Sequence, residues 1–79
     1  MRVLYMATSG GSDPTRASIL LHLAVNGSVE VGHTVGIVLA GDATELLKPD
    51  VREGVVGTGV PPMRELIAKA HDREVPIYV

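Results

Sequence analysis

Three short apolar runs punctuate the chain: Val3-Leu4-Tyr5-Met6-Ala7, Thr34-Val35-Gly36-Ile37-Val38-Leu39-Ala40 and Val75-Pro76-Ile77-Tyr78-Val79. They are nearly continuous rather than alternating, the pattern of strands buried on both faces of a parallel sheet. The connections between them are far too long for tight hairpins. Parallel neighbours need crossovers of a dozen residues or more, usually helical, and almost all are right-handed. The spacing therefore predicts an α/β fold in the order β-α-β-α-α-β: a parallel sheet with flanking helices, in a single domain over residues 1–79.

The first connection predicts a long helix over 14–31. Asp13 is placed to cap it, and Pro14 suits the first helical position, where no N–H is needed. Ala17, Leu20, Leu21, Ala24 and Ser28 follow helical spacing, and Ile19 and Leu23 widen the stripe. So wide an apolar face predicts contact with more than one neighbour. Asn26-Gly27 supports a rival, since that dipeptide between apolar runs is a strong hairpin signal. The helix is preferred: a hairpin has no use for the Asp13-Pro14 cap, and Ile19 to Val25 does not alternate. Gly32 is placed to end the helix.

In the second connection, Gly41-Asp42-Ala43-Thr44 reads as a loop and Glu45 to Lys48 as a short helix broken by Pro49. Another helical turn is expected within 50–56. Gly57-Thr58-Gly59 reads as a hinge, and Pro61-Pro62 opens a helix with Met63, Leu66, Ile67 and Ala70 inward, closing over His71 to Glu74.

Composition removes several functions. Tyr5 and Tyr78 are the only aromatic residues and the formal charge is -2, which gives neither a stacking platform nor a basic surface for nucleic acid. No apolar run approaches the length of a membrane span. The N-terminal run is too short for a secretory leader and reads as a buried strand, so a cytoplasmic location is expected. Without secretion, the sequon Asn26-Gly27-Ser28 carries no weight. The absence of cysteine excludes disulfides and thiol chemistry on these residues. His22, His33 and His71 lie on different elements without metal-ligand spacing, so neither a metal nor a cofactor is assigned.

Ligands of parallel α/β sheets bind beyond the carboxyl ends of the strands. Here those ends carry Thr8-Ser9-Gly10-Gly11-Ser12-Asp13 and Gly41-Asp42-Ala43-Thr44. The candidate ligand-binding residues are Ser9, Gly10, Gly11, Asp13, Thr15, Arg16, Gly41 and Asp42. The glycines would let backbone N–H groups approach an anion near the start of a helix. Neither common nucleotide fingerprint is present, and Asp13 would repel an anion. A glycine turn feeding a capped helix explains the same residues without a ligand. Asp42 is expected to cap the following helix. Ser9 has no base placed beside it by any recognisable pattern, so no catalytic residue is assigned.

The stretch "MATSGGSDPTRASILLHLAVNGSVEVGHTVGIVLAGDATELL", followed by "GTGVPPMRELIAKAHDREVPIYV", resembles the DsrE/DsrF-like family of small α/β proteins. Its most distinctive pieces are Gly-Ser-Asp-Pro-Thr-Arg leading into a long helix, the strand end Leu39-Ala40-Gly41-Asp42, and the Pro61-Pro62 helix before Ile77-Tyr78-Val79. The resemblance implies a flavodoxin-like three-layer sandwich, incomplete here, whose sheet of about five strands has β1 inside it. It also implies homo-oligomers, trimers or hexamers, and sulfur-relay protein partners. Relatives in the sulfur-transfer branch carry persulfide on a cysteine, often just after the strand matching Val75 to Val79. That role falls on no residue here, and a missing C-terminal part is expected. Three apolar strands alone would leave an exposed edge and a half-covered face, which predicts self-association. Two functions follow: a sulfur-transfer protein whose carrier cysteine is not among these residues, or a non-catalytic oligomeric module for a small anion or nucleotide. A hydrolase using Ser9 or Asp42 ranks below both.

Overall fold

The computed structural model describes all 79 residues. Strand β1 (Arg2–Ala7) leads into helix α1 (Pro14–Leu23) and then β2 (Thr34–Leu39). Helix α2 (Pro49–Glu53), helix α3 (Met63–Asp72) and strand β3 (Ile77–Tyr78) follow. The strands form one sheet in the order β1-β2-β3, and both pairings are parallel. The fold is thus α/β, with a parallel sheet and flanking helices.

Strand order decides how the layers lie. Two successive crossovers of one hand, stepping in one direction across a sheet, fall on the same face. The burial pattern agrees. Val3, Tyr5 and Ala7 register with Val35, Ile37 and Leu39, so these six side chains share a face. Val35, Ile37 and Leu39 are buried in one cluster with Leu21, Leu46, Met63 and Leu66 from the connections. On the opposite face, Leu4, Met6 and Tyr78 are exposed. The molecule therefore has a sheet and one helical layer, an incomplete sandwich with a bare apolar face. The resemblance expects β1 inside the sheet; in this three-stranded sheet β2 is the inner strand and β1 an edge.

Helix α1 begins as its sequence predicts. Pro14 opens it, and the Asp13 side chain accepts a hydrogen bond from the Arg16 amide. Its winding widens to a π-helix over Ala24–Ser28, so the expected run 14–31 is helical only as far as Ser28, and residues 29–32 form a turn. Asn26-Gly27 lies inside that segment, and the hairpin alternative is overturned. The local hairpin preference loses to packing: Ala24 and Val25 are buried, and the hydroxyls of Tyr5 and Ser28 meet at 2.5 Å. Gly32 ends the run at φ 88°. Its N–H donates to the Val29 carbonyl and that of His33 to the Ser28 carbonyl, the paired bonds of a Schellman motif.

Two boundaries differ from expectation. The short helix predicted from Glu45 to Lys48 is a 3-10 helix over Gly41–Leu47. Lys48 is extended at φ -81°, ψ 121°, as steric conflict with a following proline favours. Pro49 thus ends one element and opens α2. The third strand is expected over 75–79 but pairs only at Ile77–Tyr78. The Val75 N–H is drawn back to the Ala70 carbonyl at the end of α3, and Pro76 has no N–H to give.

Candidate functional site

The loops after β1 and β2 meet at the carboxyl end of the sheet. The Ala40 N–H donates to the Ala7 carbonyl, extending the ladder one step beyond the strands. Past that point the loops are latched by a side chain. The Gly11 N–H donates to Glu45 Oε1 at 2.6 Å. Gly10 is buried, and a Cβ there would collide with the Asp42 carbonyl oxygen and the Glu45 carboxylate. Glycine is therefore required at Gly10 by close approach, while a Cβ on Gly11 would meet only the Glu45 carboxylate oxygen tightly, at 3.3 Å; the group approaching both is a side chain of the chain itself.

The remaining candidate residues are distributed among separate contacts. Asp13 caps α1 and pairs with Arg16, its Oδ2 3.5 Å from the guanidinium Nε. Arg16 is largely exposed. Both line an open groove of about 580 Å³ beside β1, with Tyr5, Thr15, Ile19 and Leu23 on its walls. Thr15 Oγ1 accepts a hydrogen bond from the Thr58 N–H at 3.0 Å. Ser9 is half-buried in the first loop, and the side-chain hydrogen bonds of this region do not involve it.

Gly41 has φ 56°, a left-handed turn that suits glycine. Asp42 is exposed in the first turn of the 3-10 helix. It does not cap that helix: Ala40 occupies the cap position without a side-chain bond. Thr44 Oγ1 donates back to the Gly41 carbonyl instead. Gly57 is likewise no free hinge. A Cβ there would lie 2.9 Å from Thr15 Cα and 3.2 Å from the Pro14 carbonyl oxygen, so this loop is packed against the first turn of α1.

Glu45 is the residue that sequence reasoning missed. Its sequence pattern places it in a short helix, and the one local signal of its role is the glycine at position 10, which leaves room for a closely approaching group. A second polar cluster lies at the other end of α1. Lys69 Nζ donates to Asn26 Oδ1 at 2.5 Å and sits 2.6 Å from Glu30 Oε1. Arg73 Nη2 lies 3.2 Å from the same oxygen, and Asn26 Nδ2 is 3.0 Å from His22 Nδ1. The Lys69 hydrogen bond, then the charges of Lys69 and Arg73, hold the Glu30 carboxyl below the ordinary value of 4.5. No three or more His, Asp or Glu side chains gather as a metal site, and no helix is long and apolar enough to cross a membrane.

Comparison with protein-family models, curated proteins and solved structures finds no match. The DsrE/DsrF-like resemblance therefore rests on the quoted sequence pieces alone.

Proposed function

We propose that this chain is a non-catalytic binding module whose paired loops receive a small anionic group at Gly10-Gly11. The supporting observation is the Glu45 carboxylate on the Gly11 N–H at 2.6 Å. That N–H donates to a carboxylate oxygen, and Glu45 acts as an internal stand-in that an external anion displaces. Arg16 is the only lysine or arginine between Thr8 and Leu47, so the incoming charge would draw it from Asp13. In the sulfur-transfer form of this proposal, suggested by the resemblance, the anion is a thiolate or persulfide on a cysteine not among these residues. A thiolate near backbone N–H donors is stabilised as any anion is.

Thermal unfolding with added phosphate, sulfate or nucleoside monophosphate tests the reading. The Tm should rise with at least one of these, rise further in Glu45→Gln, where the internal competitor is neutral, and rise less in Arg16→Ala. An unchanged Tm with all three, in both the wild type and Glu45→Gln, would refute the proposal.

A further inference from the structure

Strand β1 has one hydrogen-bonded edge and one free edge. The carbonyls of Met1 and Ala7 accept from Thr34 and Ala40 of the β2 segment. Backbone groups alternate sides along a strand, so the odd residues of β1 face β2. Arg2, Leu4 and Met6 therefore aim their N–H and C=O groups outward. This edge has no proline, and Arg2 is its only charged residue; such features ordinarily blunt an edge. Apolar side chains crowd both sides of it. Leu4 and Met6 are 65% and 59% exposed on the bare face, and Ile19 and Leu23 of α1 are 44% and 53% exposed on the other. The Tyr5 groove lies between α1 and the edge.

We propose that two copies of this chain pair antiparallel through β1, about a two-fold axis that places Leu4 opposite Leu4 of the second copy. A two-fold axis between adjacent antiparallel strands stands perpendicular to the sheet, so like faces must coincide. Registers that set an even residue against an odd one are thereby excluded. Among the rest, centring on Leu4 uses every outward group: Leu4 meets its own copy, and each Arg2 meets a Met6. That forms about six main-chain hydrogen bonds. Centring on Tyr5 would form about four.

Charge also selects this arrangement. Parallel pairing would place the two Arg2 side chains together. Antiparallel pairing separates them by roughly 14 Å along the strand, beyond the screening length of about 8–10 Å.

The exposed face of α1 selects the occupant. An isolated added strand would satisfy the backbone edge but leave Ile19 and Leu23 in water. The partner must carry an apolar helix at the same height beside its edge strand, and a second copy carries one. About six bonds correspond to roughly 600–1,200 Å² of total buried surface, below the size of stable specific interfaces and in the range of weak, transient ones. Assembly is therefore a concentration-dependent dimerisation.

Analytical ultracentrifugation tests the proposal, with circular dichroism confirming that each variant is folded. Wild-type protein should pass from about 8.3 kDa towards twice that mass as concentration rises. Met6→Pro removes an outward N–H that the monomer does not use, so it should fold and dimerise about tenfold or more weakly. Leu4→Lys and Leu4→Glu should each be monomeric, because the register sets like charges face to face. Mixing those two variants should restore a dimer. A wild type that remains monomeric throughout, a dimer unaffected by Met6→Pro, or a charge-swapped mixture that fails to associate would each overturn the proposal.

Discussion

Glu45 Oε1 accepts the Gly11 N–H at 2.6 Å, so a side chain from the segment after β2 closes the turn that follows β1. This latch joins residues 34 positions apart in sequence and fixes the mouth of the sheet. Hydrogen bonds to charged groups contribute about 1.5–3 kcal/mol, and partial exposure of Glu45 brings this towards the lower limit. Glu45→Ala should destabilise the fold by about 1 kcal/mol, read as a lower midpoint in urea with an unchanged slope. An unchanged midpoint would mean that the latch forms without stabilising the loops.

Gly10 and Gly27 should respond oppositely to alanine. A methyl group on Gly10 meets the Asp42 backbone as well as the Glu45 side chain, and backbone cannot swing aside. Overpacking of this kind costs about 1–3 kcal/mol. Gly27 has open space around its Cβ position and lies in helical backbone. Gly27→Ala should therefore stabilise by about 0.5–1 kcal/mol. Urea midpoints of the two variants, moving in opposite directions, are the readout.

The ends of the two long helical runs offer a matched comparison. Glu74 donates to the His71 carbonyl and Val75 to the Ala70 carbonyl, repeating the Schellman geometry at Gly32. Here the left-handed position, φ 57°, is held by a glutamate. A non-glycine residue is strained there by about 1–2 kcal/mol, partly offset by the greater freedom of glycine in the unfolded chain. Glu74→Gly should raise stability by about 0.5–1 kcal/mol, while Gly32→Ala should lower it by about 1 kcal/mol. Thermal melts of both variants check the pair.

Much of this architecture was legible because it depends on local signals. Asp13-Pro14, Gly32 and Pro61-Pro62 mark helix boundaries by local chemistry alone, and three spaced apolar runs imply parallel strands. What was not legible depended on tertiary partners. Nothing local shows that Glu45 would reach Gly11, or that Thr15 would receive the Thr58 N–H rather than a ligand. The widening after Leu23 escaped for the same reason: Tyr5, Lys69 and the core jointly hold Asn26 to Ser28. The stripe through Ile19 and Leu23 predicted an extra neighbour, and the structure leaves both exposed beside the β1 edge. The candidate loop residues follow the carboxyl ends of β1 and β2, but their side chains make two separate contacts, Asp13 with Arg16 and Thr15 with the Thr58 N–H.

Ser18 provides a test inside the core. It is fully buried in α1, and its hydroxyl has no hydrogen-bond partner. A buried polar group without a partner loses its bonds to water uncompensated, by about 1–3 kcal/mol. Alanine has the higher helix propensity and removes only the hydroxyl oxygen. Ser18→Ala should stabilise the protein by about 1 kcal/mol. A loss of stability instead would show that the hydroxyl has a bonding partner in solution.

The Glu30 cluster gives the fold an acid-sensitive component. Lys69 and Arg73 favour the ionised carboxylate, so the folded-state pKa lies below the ordinary 4.5. A folded pKa below the unfolded one means that unfolding takes up protons as pH falls. The contribution is fully present above about pH 4.5 and is lost as pH drops through the lower folded value. Its size is limited because Glu30 is exposed and surface ion pairs are screened by solvent and salt. Glu30→Gln removes the titrating group but keeps a neutral acceptor for Lys69. The two stability–pH curves should therefore be offset at neutral pH and converge under acid, with added salt shrinking the offset. A constant offset across the acid range would assign the stabilisation to packing of the side chain rather than its charge.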